Sequence, residues 1–298
     1  MSTTPPTPLP YGVAPPGFRL PDATRVGRVC LQVADLQRST DYYERVLGLR
    51  VHTRTDGTAQ LTPNDGHVLV ELREKRGLRP APKRGAFGLY HFAMLLPHRA
   101  DLGRFVAHLA SLGVRFGAAD HLVSEAVYLT DPDGLGIEVY IDRPRAAWEV
   151  RGRELAMATD ALDLDDLVRA AGATVWEGAP AGTVLGHMHL HVGDLDAGEG
   201  FYHAALGLDK IVWGYPGALF LSAGGYHHHL GINTWSPGPS PTNDQAQLLE
   251  WELLVPTEAD AAAVAANLAS AGYATEAEGT VWTARDPWGT RLRIAAGA

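Results

Sequence analysis

The chain has 298 residues, of which 46% are hydrophobic and 20% are charged, and this composition excludes a wholly disordered protein. Its 34 acidic residues outnumber 25 Lys and Arg, giving a net charge of −9, so nucleic acid or an anionic membrane is not expected as the main partner. A single cysteine, Cys30, excludes a disulfide framework and a cysteine-rich zinc site.

Residues 1–24 are rich in proline and are expected to form an extended arm. They lack the basic start and the apolar stretch of a secretory signal. The sequence also contains no run of the roughly 18 apolar residues that a membrane-spanning helix needs. These features predict a soluble, cytoplasmic protein, and a length of roughly 150 residues per domain predicts two domains.

The region after the arm is a succession of short strands and helices. Residues 26–34 predict a strand, and residues 36–47 follow a helical pattern that ends at Gly48, a residue type favoured just after a helix. Short strands then follow to about residue 73. The same order comes next, with a strand at 89–97, a helix at 101–112 and two strands around an Asp-Pro-Asp-Gly turn, at 125–130 and 136–141.

The second half of the chain repeats the first at an offset of 159 residues. Val33-Ala34-Asp35-Leu36 corresponds to Val192-Gly193-Asp194-Leu195, and Leu47-Gly48-Leu49 corresponds to Leu206-Gly207-Leu208. After a four-residue deletion, the Asp-Pro-Asp-Gly turn has its counterpart in Asp286-Pro287-Trp288-Gly289. The pattern indicates a duplicated domain.

Each copy contains two modules of the order strand–helix–strands. The predicted modules span residues 25–75, 86–143, 184–236 and 247–296. The predicted domains are therefore residues 25–143 and 184–298, joined by a connector at 144–183 that carries an acidic helix over 160–171. The predicted fold class is α+β.

Four βαβββ modules with a V-x-D-L…FY…LG opening and a DPDG-x-x-IE closing resemble the vicinal oxygen chelate superfamily. This group contains glyoxalase I, bleomycin-resistance proteins and extradiol (catechol 2,3-) dioxygenases. The segments Gly88-Leu89-Tyr90-His91-Phe92 and Gly224–Leu230 are most similar to those of two-domain bacterial catechol-2,3-dioxygenase-like proteins. The resemblance implies two cup-shaped mixed sheets with helices outside, and metal ligands on the first and last strands of each module.

The ligand positions implied by the resemblance differ in chemistry between the modules. Arginine stays protonated and does not ligate a divalent metal, so modules one and four each lose a position. If modules two and three share a cup, it collects His91, Glu138 and His187. The other cup then collects a set of ions that can neutralise each other: Arg28, Glu71, Glu250 and Arg293. If modules instead pair within a copy, the best ligand set is His91, Glu138 and Glu71.

The resemblance also implies catalytic residues beside the metal. His228 matches a histidine base on the last strand of module three, and a register slip of one residue would give that role to His229. Tyr128 matches a tyrosine placed shortly before the glutamate ligand, and His121 matches a histidine in the preceding loop. His189 and His191 share a strand face with His187 and are expected to line the cup or to pack.

The predicted activity is ring cleavage of a small aromatic vicinal diol with O₂, on Fe(II) or Mn(II) held by two imidazoles and one carboxylate. One alternative is a glyoxalase-like lyase or isomerase, which would need Glu71 as a second carboxylate. Another is a non-catalytic protein that sequesters a ligand, as bleomycin-resistance proteins do. Exposed sheet edges on the four modules are compatible with association into a homo-oligomer, and the sequence leaves the oligomeric state open.

Overall fold

The structure, a computed structural model, describes residues 10–64, 66–82 and 84–297. The first nine residues of the predicted arm lie outside the described residues. Residues 10–24 form no helix; Val13 makes an isolated bridge to Lys210, and Leu20 is buried. Among the described residues, no helix combines the length and the apolar character that crossing a bilayer requires.

The first two modules each have the order βαβββ. The elements of module one are β1 (Arg25–Val33), α1 (Leu36–Arg45), β2 (Arg50–Thr55), β3 (Thr58–Thr62) and β4 (Val70–Glu74). The elements of module two are β5 (Gly88–Leu95), α2 (Arg99–Ser111), β6 (Gly117–Asp120), β7 (Ser124–Thr130) and β8 (Gly136–Asp142). Predicted and observed bounds agree to within two residues at most ends.

The connector is more structured than the sequence predicts. After a short 3₁₀ turn it forms a small hairpin, β9 (Val150–Arg151) and β10 (Glu154–Leu155), and then α3 (Leu164–Ala171). The predicted helix over 160–171 begins four residues late because Asp163 caps it, accepting a hydrogen bond from the Asp166 amide. Asp160 instead forms a bridge with Asp120.

Modules three and four repeat the βαβββ order. The elements of module three are β11 (Val184–His191), α4 (Leu195–Gly198), which continues as a π-helical segment (Glu199–Ala205), β12 (Asp209–Val212), β13 (Ala218–Ser222) and β14 (Leu230–Asn233). The elements of module four are β15 (Gln247–Val255), α5 (Glu258–Ser270), β16 (Thr275–Glu278), β17 (Val281–Arg285) and β18 (Arg291–Ala296). The predicted α+β class with four modules is confirmed.

Each of the two mixed eight-stranded sheets takes half of its strands from each copy. One sheet has the order β12-β13-β14-β11-β5-β8-β7-β6 and joins modules three and two. The other has the order β16-β17-β18-β15-β1-β4-β3-β2 and joins modules four and one. The predicted cross-copy pairing is confirmed, and pairing within a copy is wrong. The division of the chain into two duplicated domains at the connector stays a prediction from the sequence.

The helices cover the faces of the sheets that pack on the common core. Side chains alternate along β5, so Phe92 and His91 point to opposite faces. Phe92 is fully buried and stacks on Tyr43 of α1, with ring centroids 6.5 Å apart. Tyr43 also donates a hydrogen bond to Asp131 in the turn of module two, and Tyr202 makes the equivalent bond to Asp286. The concave face that carries His91 is therefore left free of helix.

Gly136 opens β8 beside the site strands because no side chain fits there. A Cβ atom at Gly136 would lie 1.9 Å from the carbonyl oxygen of Tyr90, on the paired strand β5. We expect Gly136→Ala to lower the free energy of unfolding by about 2–3 kcal/mol, the usual effect of forcing atoms into a packed interior. Denaturant unfolding measures this. Gly117→Ala in the same sheet is the matched control, since its Cβ would meet nothing closer than 3.7 Å; equal effects for both variants would contradict the prediction.

Candidate metal centre

Three ionisable side chains meet on the concave face of the sheet formed by modules two and three. His91 lies on β5, Glu138 on β8 and His187 on β11, which are adjacent strands at the junction of the two modules. Nε2 of His91 lies 3.0 Å from Oε2 of Glu138, and Nε2 of His187 lies 3.2 Å from the same oxygen. All three side chains are buried. The structure thus brings together the three residues predicted as metal ligands.

The register of the strands explains why these side chains converge. Ala93 pairs with Glu138 on one side and with His187 on the other, and it lies two residues after His91 on the same strand face. Its methyl group leaves room above the sheet that a larger side chain would fill. The two histidines and the glutamate therefore surround a position that has Ala93 at its floor.

The protonation states suit a cation at this position. Burial lowers the pKa of His91 and the pKa of His187, so both imidazoles are neutral at pH 7 and each keeps a lone pair. Burial alone would raise the pKa of Glu138, but the adjoining His187 and His91 outweigh it and hold this pKa well below its ordinary value. The site therefore offers two neutral nitrogens and one carboxylate.

The geometry also fits a divalent metal. Metal–ligand distances of roughly 2.1 Å at right angles put neighbouring ligand atoms about 3.0 Å apart, close to the two separations between Glu138 and the histidines, and all three ligand atoms lie within 4.8 Å of one another. The buried Nε2 of His91 faces the Glu138 carboxylate at 3.0 Å without good hydrogen-bond geometry, so its lone pair is available to a cation. Within the described residues, no other group of three His, Cys, Asp or Glu side chains has its ligand atoms within 4.8 Å of one another.

His228 stands beside this triad, although not on a strand as predicted. The backbone of Gly224 and Gly225 has positive φ angles of 59° and 64°, so a turn follows β13 and β14 begins only at Leu230. The His228 ring lies 4.1 Å from the His187 ring, between centroids, and lines the cavity over the triad. Burial, with His187 as the next cause, lowers the pKa of His228 well below its usual value, so the ring is neutral.

His229, the alternative base, faces away from the triad. Its Nδ1 accepts a hydrogen bond from the Ala223 amide, 3.2 Å away, and its ring borders a different cleft between the two sheets. Burial lowers the pKa of His229 to about 3. Of the two neighbouring histidines, only His228 is placed to touch a molecule bound at the triad.

Tyr128 and His121 form a hydrogen-bonded pair on the opposite wall of the cavity. Tyr128 pairs with Glu138 across the β7–β8 ladder, which places its side chain on the triad's face of the sheet. Burial, followed by the charge of Glu138, raises the pKa of Tyr128 well above its ordinary value, so the phenol keeps its proton. Its hydroxyl lies 2.5 Å from Nε2 of His121, whose Nδ1 lies 2.6 Å from the Ala158 carbonyl oxygen. Nδ1 of His121 must donate to this oxygen, so Nε2 accepts from Tyr128.

The triad opens into a cavity of about 270 Å³. Its walls are largely aromatic and apolar, from Tyr90, Met157, Tyr215, Phe220 and Trp235. Among the described lining residues, Glu138 alone is an acid or a strong base, and no Lys or Arg is present. Arg115 is exposed and borders an adjoining open groove. The cavity therefore suits an uncharged, flat molecule.

Comparison with known proteins places the chain in a family. The profile of the Glyoxalase/Bleomycin resistance protein/Dioxygenase superfamily matches residues 25–139. A catechol-2,3-dioxygenase of Bacillus subtilis (strain 168) is 42% identical over 271 residues, which are 89% of this chain and 94% of that protein. The chain belongs to this superfamily.

Solved structures of the superfamily share the fold. A candidate dioxygenase from Bacillus subtilis superposes with a TM-score of 0.66 at 17% identity, covering 94% of this chain and 86% of that one. Glyoxalase I from Zea mays superposes with a TM-score of 0.55 at 17% identity, covering 92% of both chains. At such identities the likeness extends to the fold alone.

In the sheet formed by modules one and four, which corresponds to the second predicted cup, ion pairs link the side chains at the positions that were compared with metal ligands. Arg28 contacts Glu71 at 2.8 Å and Glu250 at 3.6 Å, as the sequence predicts. Arg293 pairs with Glu252 and not with Glu250, because Glu252 and Arg293 are direct neighbours in the parallel β15–β18 ladder. The sequence reading missed Glu252 and two further arginines, Arg73 on Glu71 and Arg291 on Glu250.

Glu71 lies on β4, in the sheet that does not contain the triad. The ligand set of His91, Glu138 and Glu71 is therefore wrong. The lyase alternative loses its second carboxylate for the same reason, since Glu71 is engaged by Arg28 and Arg73 in the other cup.

One polar residue of the site was missed altogether. Asn233 donates a hydrogen bond from Nδ2 to Nε2 of His189, 2.9 Å away, while its Oδ1 accepts from Nδ1 of His191 at 2.7 Å. Nε2 of His189 is thereby occupied, although this histidine lies directly opposite His91 in the ladder. Asn233 therefore holds His189 as a wall residue of the cavity and His191 as a wall residue of an adjoining cleft, which leaves His187 as the ligand candidate on β11.

Proposed function

We propose that the protein is an extradiol-type dioxygenase that cleaves the ring of a small aromatic vicinal diol with O₂. The observation that carries the proposal is the convergence of His91 and His187 on one oxygen of Glu138, at 3.0 and 3.2 Å, beneath an aromatic cavity. The 42% identity with a catechol-2,3-dioxygenase over nearly the whole chain supports it.

His91, Glu138 and His187 would hold the metal, which would lower the pKa of a bound hydroxyl and give the diol and O₂ a common centre. Two imidazoles and one carboxylate on one face are the donor set of non-haem Fe(II) oxygenases, so we propose Fe(II), with Mn(II) as the alternative.

Three side chains beside the triad are proposed to accept or orient protons during the reaction. His228, neutral and beside His187, accepts a proton from a substrate hydroxyl. Tyr128 keeps its phenolic proton and donates it in a hydrogen bond to His121, so its oxygen is left to accept a hydrogen bond from a substrate hydroxyl at the other wall. His121 fixes the direction of the Tyr128 hydroxyl, because its own Nδ1 is anchored on the Ala158 carbonyl.

The test is metal analysis of protein purified without oxygen, followed by O₂ uptake with catechol. We expect tightly bound iron, consumption of O₂ and a yellow ring-fission product. Bound metal without O₂ uptake would contradict the proposal in favour of a lyase or isomerase. Protein without bound metal would favour a ligand-sequestering role.

The lining of the cavity predicts discrimination by charge. A carboxylate attached directly to the ring would be buried among Tyr90, Phe220 and Trp235 without a cation. We expect kcat/KM for 3,4-dihydroxybenzoate to be at least about 100-fold below that for catechol, since burying an unpaired charge costs several kcal/mol.

Steady-state kinetics with the two substrates and with 4-methylcatechol measure this discrimination. The methyl compound controls for size and is expected to react like catechol. Arg115→Gln should leave the ratio unchanged, because Arg115 is exposed outside the cavity. Similar kcat/KM values for catechol and 3,4-dihydroxybenzoate would contradict the prediction.

A further inference from the structure

A chain of three polar side chains leads from the cavity into the protein behind His228. Nδ1 of His228 lies 2.7 Å from Nδ1 of His227, and Nε2 of His227 lies 2.8 Å from Oδ1 of Asp142. His227 is fully buried, with the rings of Trp148 and Tyr140 at 5.5 and 6.1 Å. The chain joins the loop before β14 to the end of β8.

The chemistry of the acceptors fixes where the protons lie in this chain. A carboxylate only accepts hydrogen bonds, so Nε2 of His227 carries a proton and donates it to Asp142. With this single proton on His227, its Nδ1 keeps a lone pair, and the short contact between the two Nδ1 atoms requires that His228 donates from its own Nδ1. The reverse order would leave a bare nitrogen of His227 facing a carboxylate oxygen.

This order leaves Nε2 of His228 with a lone pair. Nδ1 of His228 is turned towards His227, while the ring lines the cavity and stands 4.1 Å from the His187 ring. Nε2, on the far side of the ring, is the nitrogen that remains for a bound molecule. A base needs its lone pair at that end.

We propose that Asp142 and His227 are positioning residues that hold His228 in the tautomer with the proton on Nδ1, so that Nε2 faces the substrate as the acceptor. This inference rests on the proposed function, because it concerns the base of the proposed reaction. It assigns a role to two residues that belong neither to the triad nor to the residues lining the cavity. A phenylalanine at position 227 keeps an aromatic ring there but offers no acceptor to Nδ1 of His228.

The test compares His227→Phe with the wild-type protein by two measurements. The ring-nitrogen NMR shifts of ¹⁵N-histidine-labelled, metal-free protein report the tautomer, with the His228 signals identified by their loss in His228→Ala. We expect the wild-type His228 to carry its proton on Nδ1 and His227→Phe to lose this fixed state. We also expect kcat with catechol to fall about 10–100-fold, as for loss of a supporting partner, at unchanged KM and metal content.

Two further variants separate positioning from general damage. His227→Gln offers an amide oxygen to Nδ1 of His228 and is expected to recover part of kcat. Tyr226→Phe removes the other hydrogen bond to Oδ1 of Asp142, at 3.0 Å, without breaking the chain, and should leave the tautomer as it is. An unchanged tautomer and unchanged kcat in His227→Phe would overturn the inference. A wild-type protein that does not cleave catechol would instead overturn the proposed function, and the tautomer in the same samples would still decide whether His227 holds His228.

Discussion

Glu138→Ala is expected to release the metal and to abolish turnover. Both histidine nitrogens of the triad approach one oxygen of this carboxylate, so its removal leaves two neutral imidazoles and no charge to balance a divalent cation. Loss of a supporting partner usually lowers metal affinity or activity by about 10–100-fold, and loss of a direct ligand should exceed this range. Metal content after dialysis and O₂ uptake with catechol are the measurements.

The matched control is Glu71→Gln, which changes a carboxylate in the other cup. Glu71 is paired with Arg28 and Arg73 and lies in the other sheet, so the metal content should stay that of the wild type. His91→Ala should behave like Glu138→Ala. A Glu138→Ala protein with normal metal content and activity would rule out the triad as the metal site.

His228→Ala is expected to keep the metal and to lose turnover. The ring stands next to His187 but is not part of the triad, so metal affinity should change little while the proton acceptor disappears. General base catalysis typically contributes about 10²–10⁴-fold, and kcat should fall within that range. Metal analysis and single-turnover kinetics on the same preparation separate the two effects.

His229→Gln is the comparison for this variant. His229 borders the cleft between the sheets, and a glutamine side chain can still accept a hydrogen bond from the Ala223 amide. Activity close to that of the wild type is expected. If His229→Gln lost activity and His228→Ala kept it, the base would have to be reassigned to His229.

The internal repeat and the family resemblance of its motifs were sufficient to predict the fold class and the three residues of the triad. The repeated opening and closing motifs placed the strands, and the resemblance implied ligands on the first and last strands of each module, which gave His91, Glu138 and His187 as candidates. The exclusion of arginine as a ligand favoured the pairing of modules two and three over pairing within a copy, and the strand order confirms that pairing.

Residues outside regular strands were harder to predict. The region of His228 was treated as a strand, but two glycines with positive φ delay β14 to Leu230. The alternation of side chains along a strand therefore does not apply to His227. Its ring contacts the ring of His228 and does not point to the opposite face of the sheet. Asp142 did carry a signal, because it lies four residues after Glu138 and so shares its strand face.

Side-chain contacts between strands that are distant in sequence could not be predicted from the residue pattern within one strand. Asn233 contacts His189 and His191 from a neighbouring strand, and its role follows only from the register of β11 and β14. The choice of Glu252 over Glu250 by Arg293 likewise depends on the register of two strands that lie about 40 residues apart in sequence. Spacing within one element cannot predict such contacts.

The exchange of strands between the copies has a consequence for symmetry. In an assembly of two identical single-copy chains, the two concave faces would be equivalent, and every substitution would alter both of them. Covalent linkage of two non-identical copies removes this constraint, because each sheet combines a different pair of modules. One face can therefore retain His91, Glu138 and His187 while the other is locked by arginines and glutamates. The tandem chain can specialise one half of its surface for chemistry and the other for rigidity.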